Sequence, residues 1–129
     1  MGLARANLKL TNLFTQKSID ISALVDTGAV HMCVTESQAR QLGFDPEECS
    51  TQFVTLADGR QKEVARIRSI EVAFANRSYA TEALVLGDEA LLGVLPLEAM
   101  DLLVDPRSQR VIVNPAHPNF PVTPAKGVK

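Results

Sequence analysis

Ile19-Asp20-Ile21-Ser22-Ala23-Leu24-Val25-Asp26-Thr27-Gly28-Ala29 is an apolar run that halts on a carboxylate, a hydroxyl and a glycine. The aliphatic portion reads as a strand, since branched side chains fit a pleated, half-buried surface. A strand stopping at Asp-Thr-Gly displays its aspartate on a tight turn, with glycine where backbone must pass close to another group. The same tripeptide also fits a plain hairpin turn whose aspartate bonds only its own backbone. The surrounding sequence has to decide between them.

Sliding the chain along itself supplies that context. Residues 23–46 align without a gap on residues 83–106, sixty positions later. Ala23, Leu24, Val25, Val34, Ala39, Leu42, Asp45 and Pro46 recur as Ala83, Leu84, Val85, Val94, Ala99, Leu102, Asp105 and Pro106. Each half reads as one unit of strand, turn, short apolar strand and helix. The first helix is capped by Thr35 with Gln38 three residues on, and Gly43 ends it. The second is expected to start with Pro96 at its first position and to run to about Leu103, before Asp105-Pro106.

Between the units, Phe53 to Val64 forms two extended runs around Asp58-Gly59, a strong hairpin signal. A second hairpin is expected where Ile70, Val72 and Phe74 alternate with Glu71 and Ala73, Asn76-Arg77 turns, and Tyr79 to Leu86 returns. The chain is mostly strand, and 129 residues make one domain.

A strand ending in Asp-Thr-Gly-Ala, a central hairpin, and Leu91-Leu92-Gly93 opening onto a helix together resemble the retropepsin-like aspartic proteases, the family of the retroviral enzymes and their cellular relatives. The similarity covers roughly residues 18–115. It implies an all-β fold with short helices, a closed acid-protease β-barrel of two pseudo-repeated units over residues 1–113, with a Pro-rich tail at 114–129.

Aspartic proteolysis needs two neighbouring carboxylates, one protonated and one charged, to activate water and protonate the leaving amine. Like charges at that distance split their titrations. The repeat does not supply the second acid, because Leu86 stands where Asp26 does and Asp88 aligns with Gly28. The resemblance therefore implies a homodimer in which Asp26 of each copy meets across a two-fold axis. In that frame Asp26 is acid or base, Thr27 braces the opposite loop across the axis, and Gly28 lets substrate backbone approach. Leu91 and Leu92 pack beneath the loop and Gly93 admits it. Leu56, Ala57, Asp58, Gly59 and Arg60 form a flap over a bound peptide that also meets Ala29 and Val30. Taken singly, the leucines and glycine are equally ordinary core positions, and a plain exposed hairpin is the lesser alternative to a flap.

Three departures bear on what carries over. Ala29 replaces the serine or threonine of many pepsin-like relatives; losing that donor depresses the carboxyl less and moves the working pH toward neutral. Val30 stands where retroviral enzymes carry a substrate-contacting aspartate, and the flap has one glycine, Gly59. Flap mobility and peptide specificity are therefore not implied.

The retroviral dimers interleave terminal strands, but Asn114 to Pro124 is too proline-rich for a paired inner strand and is expected to be an extended tail. Val111-Ile112-Val113 can pair within the subunit or across the interface. Hydrophobic content of 46% with 13 basic and 15 acidic residues describes a globular domain without the concentrated basic face of a nucleic-acid binder. No 18-residue apolar run points to a membrane span. Ala6 stands where a myristoylation signal wants Ser or Thr, and no signal-peptide core follows; the cytoplasm is the default location. Cys33 and Cys49 lack metal-ligand spacing, so neither metal nor cofactor is expected. Cys33 reads as a small buried residue, His31, beside the loop, as a surface or edge residue in preference to one lining the cleft, and His117 as an uninformative tail residue. Two main function classes stand: an aspartic endopeptidase acting on peptides, and a catalytically silent peptide-binding or dimerisation module of the same fold. A third is a domain excised from a longer polypeptide. Intact Asp-Thr-Gly favours the enzyme.

Overall fold

Alternation builds the first hairpin of the computed structural model, which describes residues 3–125. The N-terminal Met1-Gly2 and the last four residues of the tail lie outside the described residues. Strand β1 (Arg5–Asn12) turns Ala6, Leu8 and Leu10 inward and Arg5, Asn7 and Lys9 outward, the period-two pattern of a half-buried strand. It pairs antiparallel with β2 (Ser18–Val25). Asn12, 2% exposed, closes the hairpin end: its amide donates to Leu42 O at 2.9 Å and its carbonyl accepts from Phe14 N at 2.9 Å. A buried amide satisfied on both sides fixes the hairpin to the helix that follows.

After β2 come β3 (Met32–Val34), helix α1 (Glu36–Gln41), a single 3-10 turn (Pro46–Glu48), β4 (Ser50–Thr55), β5 (Gln61–Phe74), β6 (Arg77–Val85), β7 (Leu91–Leu92), helix α2 (Val94–Ala99), β8 (Leu102–Asp105) and β9 (Arg110–Val113). The sheet runs β4-β5-β6-β3-β7-β2-β1-β9-β8, and β1 also pairs with β5. The long β5 pairs with β4, β6 and β1, and its register against β6 shifts between Ile67 and Ile70, where Ser69 is left-handed (φ 61°) and its carbonyl accepts from Leu13 N. Such a bulge bends a strand. No helix among the described residues is long and apolar enough to cross a membrane.

The two units interlock at the centre. Each unit's first strand pairs in parallel with the other unit's second: β2 with β7 through Leu24↔Leu91 and Val25↔Leu92, β6 with β3 through Ala83↔Met32, Leu84↔Cys33 and Val85↔Val34. Ala23, Met32, Val34, Ala83 and Leu92 have no exposed surface, and the core condenses around them. Burying a side chain the size of Met32, Val34 or Leu92 is worth about 1.5–3 kcal/mol.

The repeat itself needs correcting. Asp26 N donates to Leu92 O at 3.1 Å and Leu86 N to Val34 O at 3.0 Å, reciprocal bonds that match Asp26 with Leu86 but Val34 with Leu92. Up to the turn the units correspond at sixty residues; beyond it they correspond at fifty-eight. Cap Thr35 then matches Gly93, α1 matches α2, C-cap Leu42 matches Met100, and left-handed Gly43 (φ 92°) matches Asp101 (φ 54°). The second turn is two residues shorter. The recurrences Val34/Val94, Ala39/Ala99, Leu42/Leu102 and Asp45/Asp105 are thus not spatial equivalents; Leu92, Leu97 and Met100, the true counterparts of Val34, Ala39 and Leu42, are apolar as are Val94, Ala99 and Leu102 two positions on.

The helices show the same slip. Helix α1 begins after Thr35, whose hydroxyl accepts from Gln38 N while the Gln38 side chain bonds Thr35 N, a complete capping box. Helix α2 starts two residues before Pro96 and ends at Ala99, not Leu103. Pro96 sits in the first turn, where its missing N–H has no intrahelical partner to lose. Leu102 and Leu103 belong to β8 instead. The second hairpin turns on Ala75-Asn76, with Ala75 left-handed (φ 52°) and Arg77 already paired to Phe74.

At the C-terminal end, β9 pairs within the chain, antiparallel to β8 and beside β1 at Arg5↔Arg110. Residues 114–125 form no strand, yet they are not a free tail. Asp101 accepts from Asn114 Nδ2 (3.0 Å), Val122 N (3.0 Å) and the His117 ring (Nδ1, 2.6 Å), Asn76 donates to Pro118 O, and the buried Arg77 donates to His117 O. The Asn114 amide, the Val122 N–H and the His117 ring hold the Asp101 carboxyl down at about 2. His117 is therefore an anchor of this segment.

Candidate active site

Asp26 is the first residue past β2, and its N–H is tied to Leu92 O of β7. The turn then folds on the aspartate: Gly28 N donates to Asp26 Oδ1 at 2.9 Å and Ala29 N to Asp26 O at 3.1 Å. A Cβ on Gly28 would stand 3.1 Å from Asp26 Oδ1, crowding the carboxylate. On the other side the first turn of α2 grips the loop, with Val94 N donating to Ala29 O at 2.9 Å and Leu95 N to Val30 O at 3.0 Å. These are the N–H groups a helix start leaves without partners, so the loop and helix satisfy each other. Gly93 makes the approach possible: a Cβ there would lie 2.2 Å from His31 O and 2.8 Å from Val30 C. Leu92 is wholly buried beneath this elbow.

The aspartate faces a cleft of about 640 Å³. Asp26, Gly28, Ala29 and Val30 form one wall, Phe53 to Ala57 the opposite one, and Cys33, Leu84, Leu86 and Leu91 the floor. The floor belongs to a small apolar cluster, Cys33, Val64 and Leu84 packed with Val54, Leu86 and Leu91. Burial, with the Asp26 charge adding to it, pushes the Cys33 thiol up, so it stays protonated and unreactive. Asp26 is the one acidic residue lining the cleft among the described residues, and Leu86, its counterpart in the second unit, lines it as well.

The wall opposite Asp26 is the β4–β5 hairpin. Thr55 pairs with Gln61, and Leu56 N donates to Arg60 O at 2.7 Å across a five-residue loop. Asp58 organises the tip: it accepts from Arg60 N at 3.0 Å and Arg60 Nε at 2.6 Å, and these bonds hold its carboxyl below the ordinary value. Gly59 supplies the left-handed residue (φ 88°).

Of the residues expected at a site, the structure gathers Asp26, Gly28, Ala29, Val30, Leu56, Ala57 and Leu91 around one cavity. Thr27 is exposed beside it, while Asp58, Gly59 and Arg60 form the hairpin tip outside the lining. Leu92 and Gly93 lie behind the loop. The cleft also takes in Cys33, Gln52, Phe53, Val54, Thr55, Leu84 and Leu86, and His31 lines it instead of standing on an edge. The alternating run Gln52-Phe53-Val54-Thr55 ahead of the Asp58-Gly59 turn was the signal available for several of these.

Residues 16–99 match the family model described as "gag-polyprotein putative aspartyl protease". Among solved structures, the chain is similar to a retropepsin-like aspartic protease from Rickettsia conorii, with a TM-score of 0.60 and 24% identity over 81% of this chain and 77% of that one. That likeness is one of fold. No curated protein matches.

Proposed function

The chain belongs to the gag-polyprotein putative aspartyl protease family, retropepsin-like in fold, and from that premise we propose that it is an aspartic endopeptidase working as a homodimer. The observation that carries the proposal is the placing of Asp26: a single carboxylate, clamped from both sides, facing a peptide-sized cleft under a hairpin, with Leu86 at the equivalent position of the other unit. Half of a dyad stands ready, and an isologous contact would bring its twin. Thr27, exposed and next to Asp26, is placed to brace the second loop.

In the paired state the two Asp26 side chains share one proton, because like charges so close cannot both ionise. The charged carboxylate takes a proton from water as its oxygen bonds to the peptide carbonyl carbon. The protonated one donates toward the carbonyl oxygen. The C–N bond then breaks as the first carboxyl passes the proton it took from water to the leaving nitrogen, while the now charged second one takes back a hydroxyl proton and the carboxyl product forms. The β4–β5 hairpin closes over the peptide, excludes water and offers strand-like hydrogen bonds. The circuit β1-β2-β7-β3-β6-β5 and back to β1 reads as a small closed barrel that holds these parts rigid.

Asp26→Asn keeps the shape and removes the titrating acid. Peptide cleavage should fall by about 10²–10⁴-fold, the usual worth of positioned acid-base groups, while folding and sedimentation stay unchanged. A variant that cleaves as fast as its parent would contradict the enzyme. A parent that dimerises and binds peptides without turnover would identify the silent module instead.

A further inference from the structure

Most of the cleft is apolar, and Val30, Phe53, Val54 and Leu91 suit the uncharged side chains of an extended peptide. One end differs. His31, Gln52 and Leu84 line both the cleft and a tight, partly open crevice that adjoins it, whose remaining walls are Arg66 and Glu82. Strand register explains the meeting. Gln52 on β4 is opposite Val64, two residues before Arg66 on β5; Arg66 is opposite Leu84 on β6; Leu84 is opposite Cys33 on β3, two residues after His31. Alternation puts all of these on one face.

The charges on that face do not balance. Arg66 Nε lies 3.8 Å and Arg68 Nε 3.5 Å from the same Glu82 oxygen, both longer than a charge-assisted hydrogen bond. Two guanidinium groups thus share one carboxylate. Arg66 Nε is moreover buried and has no hydrogen-bond partner among the described residues. An unsatisfied buried donor is a cost that an incoming acceptor removes. Resting on the peptidase reading above, we infer that this end of the cleft is a subsite selecting an acidic substrate side chain, with Arg66 as the specificity-determining residue and His31 and Gln52 at its mouth. Glu82 competes with such a guest for the same cations.

The test uses two readouts on the full chain. Peptides differing only by Glu or its neutral isostere Gln are compared at each cleft position for kcat/KM, and matched uncleavable reduced-amide peptides are compared for binding by fluorescence anisotropy. One position should favour Glu by about tenfold, the scale of a hydrogen bond to a charged group. Arg66→Gln should erase that preference, bringing the Glu and Gln peptides within about twofold of each other. Should Arg66→Gln fail to fold, Glu82→Gln serves, because freeing both arginines should strengthen the preference for Glu. Equal handling of Glu and Gln at every position, or a weaker preference in Glu82→Gln, overturns the subsite. Selective binding of the Glu peptide without cleavage supports the subsite and instead defeats the endopeptidase.

Discussion

The turns after β2 and after β6 begin at equivalent positions of two equivalent units, yet only the first presents an acidic residue to the cleft. The first runs from Asp26 to His31, has its carbonyls gripped by α2, and presents a carboxylate to the cleft. The second begins with Leu86, passes through left-handed Gly87 (φ 78°) and is two residues shorter between matched strand positions. Leu86 adds to the apolar floor that the first turn's aspartate faces. The scaffold is duplicated and the carboxylate is not, so the two-acid centre proposed above needs its second acid from another chain.

The asymmetry can be broken most strongly at the glycines. Gly93→Ala drives a methyl into backbone 2.2 Å away and should cost about 3 kcal/mol or more, the upper range for overpacking. Gly87→Ala meets nothing within 4 Å, and its left-handed backbone should cost only about 1 kcal/mol. Urea titration of both variants checks this; equal losses would mean that the two turns are not differently supported.

A smaller effect belongs to Thr27→Ala. Thr27 is exposed and follows Asp26 in the chain, and on the proposed bracing role losing its hydroxyl should raise the dimer dissociation constant about tenfold, the worth of roughly one hydrogen bond. Sedimentation over a wide concentration range reads the change. Unaltered dimer affinity would remove Thr27 from the interface.

The smallest effect concerns the end of α2 that does not grip the loop. Asp101 is held at about 2 by Asn114, Val122 and His117, against about 3.9 when unfolded. A carboxyl depressed by folding stabilises above its unfolded value and loses that contribution as pH falls from about 4 through 2. Melting curves of Asp101→Asn should therefore be flatter than the parent's in that window; parallel curves would show that the segment is not held this way.

Local interactions were what the sequence disclosed. The Asp26-Thr27-Gly28 turn, the Thr35/Gln38 capping box and the Asp58-Gly59 hairpin each depend on residues within a few positions of one another, and each stands where it was expected. β1 carries a legible alternation at Ala6, Leu8 and Leu10 that a motif-centred reading passes over. The two-residue slip between the units was hidden because Leu92, Leu97 and Met100 and the residues two positions after each are all apolar. The anchoring of residues 114–122 depends on Asp101, Asn76 and Arg77, partners up to some forty positions away that no local pattern reveals. At the candidate site, the loop and hairpin were legible as motifs. The floor of Cys33, Leu84 and Leu86 emerges only once β3 and β6 pair across the units.

Subunit mixing tests the shared dyad most directly. Parent chain and Asp26→Asn chain are combined in equal amounts at constant total concentration, allowed to exchange, and assayed for peptide cleavage. If each active centre needs Asp26 from two chains, activity should drop to about a quarter of that of parent alone, following the square of the parent fraction. Activity that falls only in proportion, to about half, would mean that one chain suffices and would contradict the dimeric centre.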